Sequence, residues 1–224
     1  MTKIDVEKKI QSENDRLAAD NRRTFAEAGA LVLNIISSPG SGKTTLLEST
    51  LDRLRGKANI VVIEGDVSTE RDMDRVRARG ASGVQINTGG GCHLSARMVA
   101  DVVDDLDLSG ADIVFIENVG NLICPSTYDL GEDVRMAILS TTEGDDKPMK
   151  YPAVFHEVSL SLINKIDLLP YLEFDVDKVE KEINVLNPDC EILRLSALKG
   201  EGMEGWIDWL LERLEQKRAG GNRG

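Results

Sequence analysis

Residues 37–45 read SSPGSGKTT. They sit between an apolar run, LVLNIIS at 31–37, and a stretch with helical spacing over 44–55. A strand that enters a glycine-rich turn and leaves through a helix is the setting a phosphate-cradling loop requires. Backbone N–H groups in such a loop close around a phosphate, and the helix N-terminus adds positive partial charge. The expected phosphate-binding residues are Gly40, Ser41, Gly42, Lys43, Thr44 and Thr45. Lys43 is placed to reach the β- and γ-phosphates of a nucleoside triphosphate, and the Thr44 hydroxyl to bind Mg²⁺. The usual pattern opens on Gly; here Ser37 stands at that position, and Pro39 and Gly40 can shape the tight exit it serves.

The rest of the chain alternates in the same way. Apolar runs recur at 59–65, 84–87, 112–118, 136–141, 160–164 and 191–196, with helical stretches at about 70–79, 94–105, 175–186 and 203–218. That alternation predicts an α/β fold with a mostly parallel central sheet covered by helices on both faces. In the last helix Trp206, Trp209, Leu210 and Leu214 share one face, which reads as core packing. Residues 1–29 read as a polar helical extension. Its apolar stripe (Ile4, Val6, Ile10, Leu17, Phe25) is thin and irregular, which predicts loose docking. The nucleotide-binding domain is expected over 30–218, with inserted metal-binding loops, and 219–224 as a disordered tail.

A second motif, NKID at 164–167, follows the apolar run LSLIN and resembles the guanine-specificity motif of GTPases. The Asp167 carboxylate would accept two hydrogen bonds from guanine N1–H and N2–H. Adenine lacks that donor pair, so ATP would leave the carboxylate unsatisfied. Lys165 would lay its stem along the base, Asn164 would tie the loop, and Ser196 and Ala197 would form the last base-contacting loop, Ala197 offering its N–H to the guanine carbonyl. Two further runs end in acid: EGD at 64–66 and ENVGN at 117–121. Asp66 and Glu117 sit where a parallel sheet presents its ligands, and Mg²⁺ takes hard oxygen ligands such as these. Gly120 suits a backbone N–H aimed at the γ-phosphate. Asp66 or Asp72 could orient an attacking water.

Composition excludes several classes. With 39 acidic and 27 basic residues the net charge is −12, which argues against a general nucleic-acid grip. No apolar run reaches the ~20 residues of a membrane span. The N-terminus has no signal-peptide apolar core, so a cytoplasmic protein is expected. The chain has only three cysteines and two histidines, yet Cys92 and His93 are adjacent after a run of glycines, and Cys124 lies four residues beyond Gly120. Thiolate and imidazole suit zinc, nickel and similar ions. Three ligands fall short of the usual four, so either water completes the set or two chains share it. The alternative is a small thiol beside a glycine turn. Cys190 and His156 read as structural.

Together these segments resemble the HypB-type nickel-insertion GTPases of nickel–iron hydrogenase maturation, a branch of the SIMIBI class of P-loop GTPases. The resemblance rests on LNIISSPGSGKTTLLE, VIEGDVST, QINTGGGCHL, FIENVGNLICP, LSTTEGDDKP, LINKIDLLPYL and LSALKGEGM, from about residue 31 to 210. It implies a slow GTPase of a type whose members dimerise around nucleotide, with nucleotide state controlling dimerisation and metal release. It implies Cys92, His93 and Cys124 as a nickel or zinc site at the dimer interface, and Lys147 in a loop important for the dimer. It also implies two partners: a small zinc-containing nickel chaperone, docking on the N-terminal helix, and the hydrogenase large-subunit precursor. Departures are visible. No cysteine precedes Cys92 and no histidine precedes His93, so an N-terminal nickel motif and a histidine-rich storage tract are missing, and Arg97 stands where some members have a further histidine. The related urease-maturation GTPases are disfavoured, because their metal motif reads Cys-Pro-His and here Cys124-Pro125 is followed by Ser126. A metal-storage protein with structural nucleotide, or an ATP-dependent enzyme, are the remaining rivals; turnover and the role of Asp167 separate them.

Overall fold

The computed structural model describes residues 3–66 and 71–221, and the side chains of all of these except 3–8, 10, 66, 71 and 221. The carboxylate of Asp66, the apolar positions Ile4, Val6 and Ile10, and tail residues 222–224 therefore lie outside the described part.

Among the described residues seven strands form one sheet: β1 (Leu31–Ser37), β2 (Ile60–Asp66), β3 (Ser82–Asn87), β4 (Ile113–Glu117), β5 (Val134–Ser140), β6 (Leu160–Asn164) and β7 (Glu191–Arg194). Their spatial order is β3-β2-β4-β1-β5-β6-β7, and every pairing is parallel. Parallel strands need crossover connections. These are supplied by α2 (Lys43–Leu54), α3 (Arg71–Arg77), α4 (Ala96–Val103), α6 (Pro152–Glu157) and α7 (Val176–Leu186), while α1 (Lys3–Ala28) precedes the sheet and α8 (Met203–Gly221) closes the chain.

The inner strands are buried on both faces, while the edge strands β3 and β7 are partly exposed, and successive residues of an inner strand enter different core clusters. Leu31, Leu33 and Ile35 face a cluster with Leu46, Leu47 and Leu51 of α2, Met73 and Val76 of α3, and Trp206, Leu210 and Leu214 of α8. The expected tryptophan stripe is thus core, and Trp206 Nε1 is satisfied by Thr50 Oγ1 at 2.8 Å. On the other face Val32 joins Phe25, Val99, Val103 and Leu130, while Ile36 joins Phe155, Val179 and Ile183.

Three expectations differ from what is observed. The N-terminal helix does not dock loosely: its buried face carries Asn14, Ala18, Asn21 and Phe25, each at most 5% exposed. Strand β5 starts at Val134, ahead of the expected run at 136–141, and two short helices, α5 (Lys147–Lys150) and α6, follow it, each with proline in its first turn. The closing helix runs to Gly221, three residues into the expected tail. Cys190 is buried beside Ser161, in keeping with a structural thiol, and His156 is exposed at the end of α6.

Candidate nucleotide and metal sites

The C-terminal ends of β1, β2, β4 and β6 open onto a cavity of about 450 Å³. In a parallel sheet this edge is where ligands bind, because loops and helix N-termini converge there. The register brings Glu64 beside Glu117, and β1 ends at Ser37 with the phosphate loop curling over it. Gly42 holds φ +105, and a Cβ there would lie 2.5 Å from Asn164 Nδ2, so only glycine fits.

The departure at the head of the loop has a physical role. The buried Ser37 hydroxyl accepts from Ser41 Oγ at 2.6 Å and from Lys43 Nζ at 3.0 Å, and donates to the Ser38 carbonyl at 2.9 Å. A glycine could hold neither the lysine nor the loop in this way. Burial pushes the Lys43 ammonium below the usual lysine range, with Glu117 opposing that shift.

Thr44 Oγ1 donates to Glu117 Oε1 at 3.2 Å, and Glu117 Oε2 is buried with no hydrogen-bond partner among the described residues. A carboxylate oxygen left so in a polar cavity is a hard ligand aimed at a cation, and beside a threonine hydroxyl it fits Mg²⁺. Burial raises the Glu117 carboxyl to about 7, with Lys43 pulling the other way. Between the ordinary carboxylate value and about 7 the folded chain holds a proton that the unfolded chain releases, so this group makes stability fall as pH rises through that window. Glu117→Gln is therefore expected to stabilise the ligand-free protein by about 1–3 kcal/mol at pH 8 and hardly at all near pH 4.5. Urea denaturation at the two pH values checks this; an equal gain at both refutes it.

Asp72 lines the same cavity but is held by Arg75 at 3.0 Å, and Arg75 is held in turn by Glu48 at 2.6 Å. Arg75 was not visible as a site residue, because its partners lie on two different helices.

The base-side residues also converge. Asn164 Nδ2 donates to the Ser41 carbonyl at 2.9 Å, and Lys165 Nζ to the Gly40 carbonyl at 2.7 Å. Lys165 has φ +65, the one non-glycine residue with positive φ among those described. It turns the chain out of β6 into a 3-10 helix, Ile166–Tyr171, whose second residue is the half-exposed Asp167; Lys165 lines the cavity and Asp167 does not. Ser196 is buried, and its hydroxyl accepts the Lys199 N–H. The Ala197 N–H, expected to meet a base carbonyl, donates to Asn164 Oδ1 at 3.1 Å, so Asn164 ties both loops together.

Gly120 approaches the phosphate loop closely: a Cβ on it would lie 3.1 Å from Pro39 Cα. The next residue, Asn121, bridges to Ser37. From there the chain runs into a 3-10 turn, Cys124–Thr127. The ligand atoms of Cys92, His93 and Cys124 all lie within 4.8 Å of one another, so the two loops do meet. Cys92 is exposed and the other two are half-buried. The neighbouring Cys124 thiol raises the Cys92 thiol through a hydrogen bond, and burial lowers the His93 imidazole. Two supporting residues lie outside the motifs. The Tyr128 ring stacks on His93 at 4.0 Å between centroids. The buried Asn118 side chain accepts both the Leu94 and the Val119 N–H at 3.0 Å, joining the two loops behind the ligands.

The family described as CobW/HypB/UreG, nucleotide-binding domain, matches residues 31–194. The hydrogenase maturation factor HypB of Escherichia coli (strain K12) is 53% identical over 207 residues, covering 92% of this chain and 71% of that protein. The crystal structure of HypB from Helicobacter pylori in complex with nickel superposes with a TM-score of 0.87 at 39% identity, covering 92% of this chain and 97% of that one. HypB from Archaeoglobus fulgidus gives a TM-score of 0.85 at 40% identity, covering 91% and 99%. With the phosphate loop, the base loop and the Cys–His–Cys cluster in one fold, the chain belongs to the HypB hydrogenase maturation factors of the CobW/HypB/UreG nucleotide-binding family.

Proposed function

We propose that the chain is a GTP-hydrolysing metallochaperone. It takes up nickel, or zinc, at Cys92, His93 and Cys124, and uses nucleotide-dependent pairing of two copies to deliver nickel during hydrogenase maturation. The observation that carries this reading is the segment 118–124. One end lies against the phosphate loop through Gly120 and Asn121, and the other end is Cys124. Four residues of extended chain span at most ~14 Å, so a loop tightened by a γ-phosphate moves the thiol directly.

In the hydrolytic step Lys43 neutralises charge on the β- and γ-phosphates, while the N–H groups of the loop hold them in line for water. Asp66 or Asp72 orients that water; Asp72 does so only when it leaves Arg75. Thr44 and Glu117, with Asp66 two residues past Glu64 at the end of β2, would hold Mg²⁺, which would supply charge stabilisation to the phosphates. Asp167 selects guanine.

Three ligands leave one coordination position open, and a second copy meeting the first across a dyad can fill or share it. Lys147, bonded to the Glu143 carbonyl and to Asp146, opens α5 at the end of the segment after β5 that would take part in the pairing. The further partners are a small zinc-containing nickel chaperone and the hydrogenase large-subunit precursor. No helix among the described residues is long and apolar enough to cross a membrane.

The test is the native mass with GDP and with a non-hydrolysable GTP analogue, each with and without nickel. The mass is expected to double with the analogue, and nickel affinity to differ between the two nucleotides. A single-chain mass in every state, or equal affinity, overturns the proposal. Cys92→Ala is expected to lose stoichiometric nickel binding while GTP turnover stays near parental, measured by metal titration and phosphate release. Full nickel stoichiometry in that variant removes the metal site.

A further inference from the structure

Helix α1 buries a face with little apolar content. Asn14, Ala18, Asn21 and Phe25 recur at spacings of four, three and four, one stripe of a helix, and all are buried. A buried amide is costly unless it is hydrogen-bonded, so what these two asparagines bond to matters. Asn14 Nδ2 donates to the Asp129 carbonyl at 2.8 Å, and Asn14 Oδ1 accepts the Ala96 N–H at 2.9 Å. Asn21 Nδ2 donates to the Ala96 carbonyl at 2.9 Å and to the Leu130 carbonyl at 3.0 Å.

Each asparagine therefore joins the same two segments. Ala96 lies three residues after His93; Asp129 and Leu130 lie five and six residues after Cys124. The contact is close. Gly131 has φ +96, and a Cβ there would lie 2.7 Å from the Ala18 carbonyl oxygen. The rim adds an Arg22–Asp129 ion pair at 2.8 Å, an Arg97–Glu13 ion pair at 2.8 Å, and a Gln11 bond to the Thr127 carbonyl at 3.3 Å.

We infer that α1 is a strap across the metal cluster, and that Asn14 and Asn21 are positioning residues holding the Cys92–His93 segment against the Cys124 segment. The inference rests on reading those three residues as metal ligands. When α1 lifts, the two segments are left to the Asn118–Leu94 bond and the Tyr128–His93 stack, and the ligand atoms hold their common centre less firmly. Metal binding and α1 docking are then linked, and the linkage acts in both directions.

The test uses the full chain without nucleotide. With one equivalent of Zn²⁺, backbone hydrogen exchange across residues 11–28 is expected to slow, and Cys92→Ala to remove that slowing. Asn14→Leu with Asn21→Leu is expected to weaken Zn²⁺ binding by about tenfold or more, the scale on which outer partners of metal ligands act. The same variant shifts the Co²⁺ absorption bands and keeps its GTP affinity. A merely structural role would lower the melting temperature yet leave Zn²⁺ affinity and the Co²⁺ spectrum as in the parent; that result overturns the strap. So does α1 exchange that is indifferent to Zn²⁺, or that slows equally in Cys92→Ala. If the double variant does not fold, exchange in the unmutated chain decides alone. A parent chain that binds neither Zn²⁺ nor Co²⁺ overturns the ligand assignment, and the strap with it, a result distinct from normal binding with unresponsive α1.

Discussion

Asp167→Asn is expected to lower GTP affinity by roughly 10²–10⁴-fold and to erase the preference for GTP over ATP, the range seen when a site built to hydrogen-bond one partner meets another. A carboxylate facing guanine N1–H and N2–H accepts twice. An amide in its place accepts once and turns its own N–H₂ toward the guanine amine. Xanthine carries a carbonyl where guanine carries that amine, so the variant is expected to gain affinity for XTP. The effect stays local because the loop is held by other groups. Asn164 ties it to Ser41 and Ala197, and Thr141 Oγ1 donates to the Lys165 carbonyl at 2.9 Å. Competition among GTP, ATP and XTP reads the outcome. Unchanged preference for GTP refutes a base-recognition role for Asp167 and reopens the ATP-dependent alternative.

The second large effect is expected from Lys43→Ala, with GTP turnover falling by at least about 10²–10³-fold, the loss typical of removing one group aimed at developing charge. The structure gives a reason for expecting the upper part of that range. Lys43 is already desolvated and positioned by Ser37, so its charge acts in a medium that screens it poorly. Its removal also leaves Glu117 without its nearest compensating cation, which raises that carboxyl further and weakens cation binding at neutral pH. Phosphate release and native mass with the GTP analogue check this; turnover within tenfold of the parent, or intact analogue-driven pairing, refutes it. Ser37→Gly should show a smaller loss of the same kind, since it removes the hydroxyl and not the charge.

The alternating fold was legible because each buried strand is a local apolar run and each crossover helix a local amphipathic one. The phosphate loop and NKID were legible for the same reason, since their chemistry is packed into a few consecutive residues. What stayed hidden depends on distance along the chain. Tyr128 meets His93 only after the sheet has brought two loops together, and Asn118 shows its purpose only through the Leu94 N–H. The helices at 147–157 were missed because they are one or two turns long and begin at prolines, which read as breaks. The docking of α1 was missed for a chemical reason. Its buried stripe gains its hold from asparagines bonded to backbone, and a search for apolar periodicity scores those positions as solvent-facing.

That mode of attachment also bears on solubility. A helix seated by hydrocarbon exposes two greasy surfaces when it leaves, and the detached form is prone to aggregate. Of the buried α1 residues Asn14, Ala18, Asn21 and Phe25, Phe25 is the one large apolar side chain, with Leu17 half-buried beside them. Asn14 and Asn21, once free, trade backbone partners for water at small net cost. On the reading of α1 as a strap, this helix would leave and reseat without baring a large apolar face, which is what the proposed cycle of metal uptake and release requires.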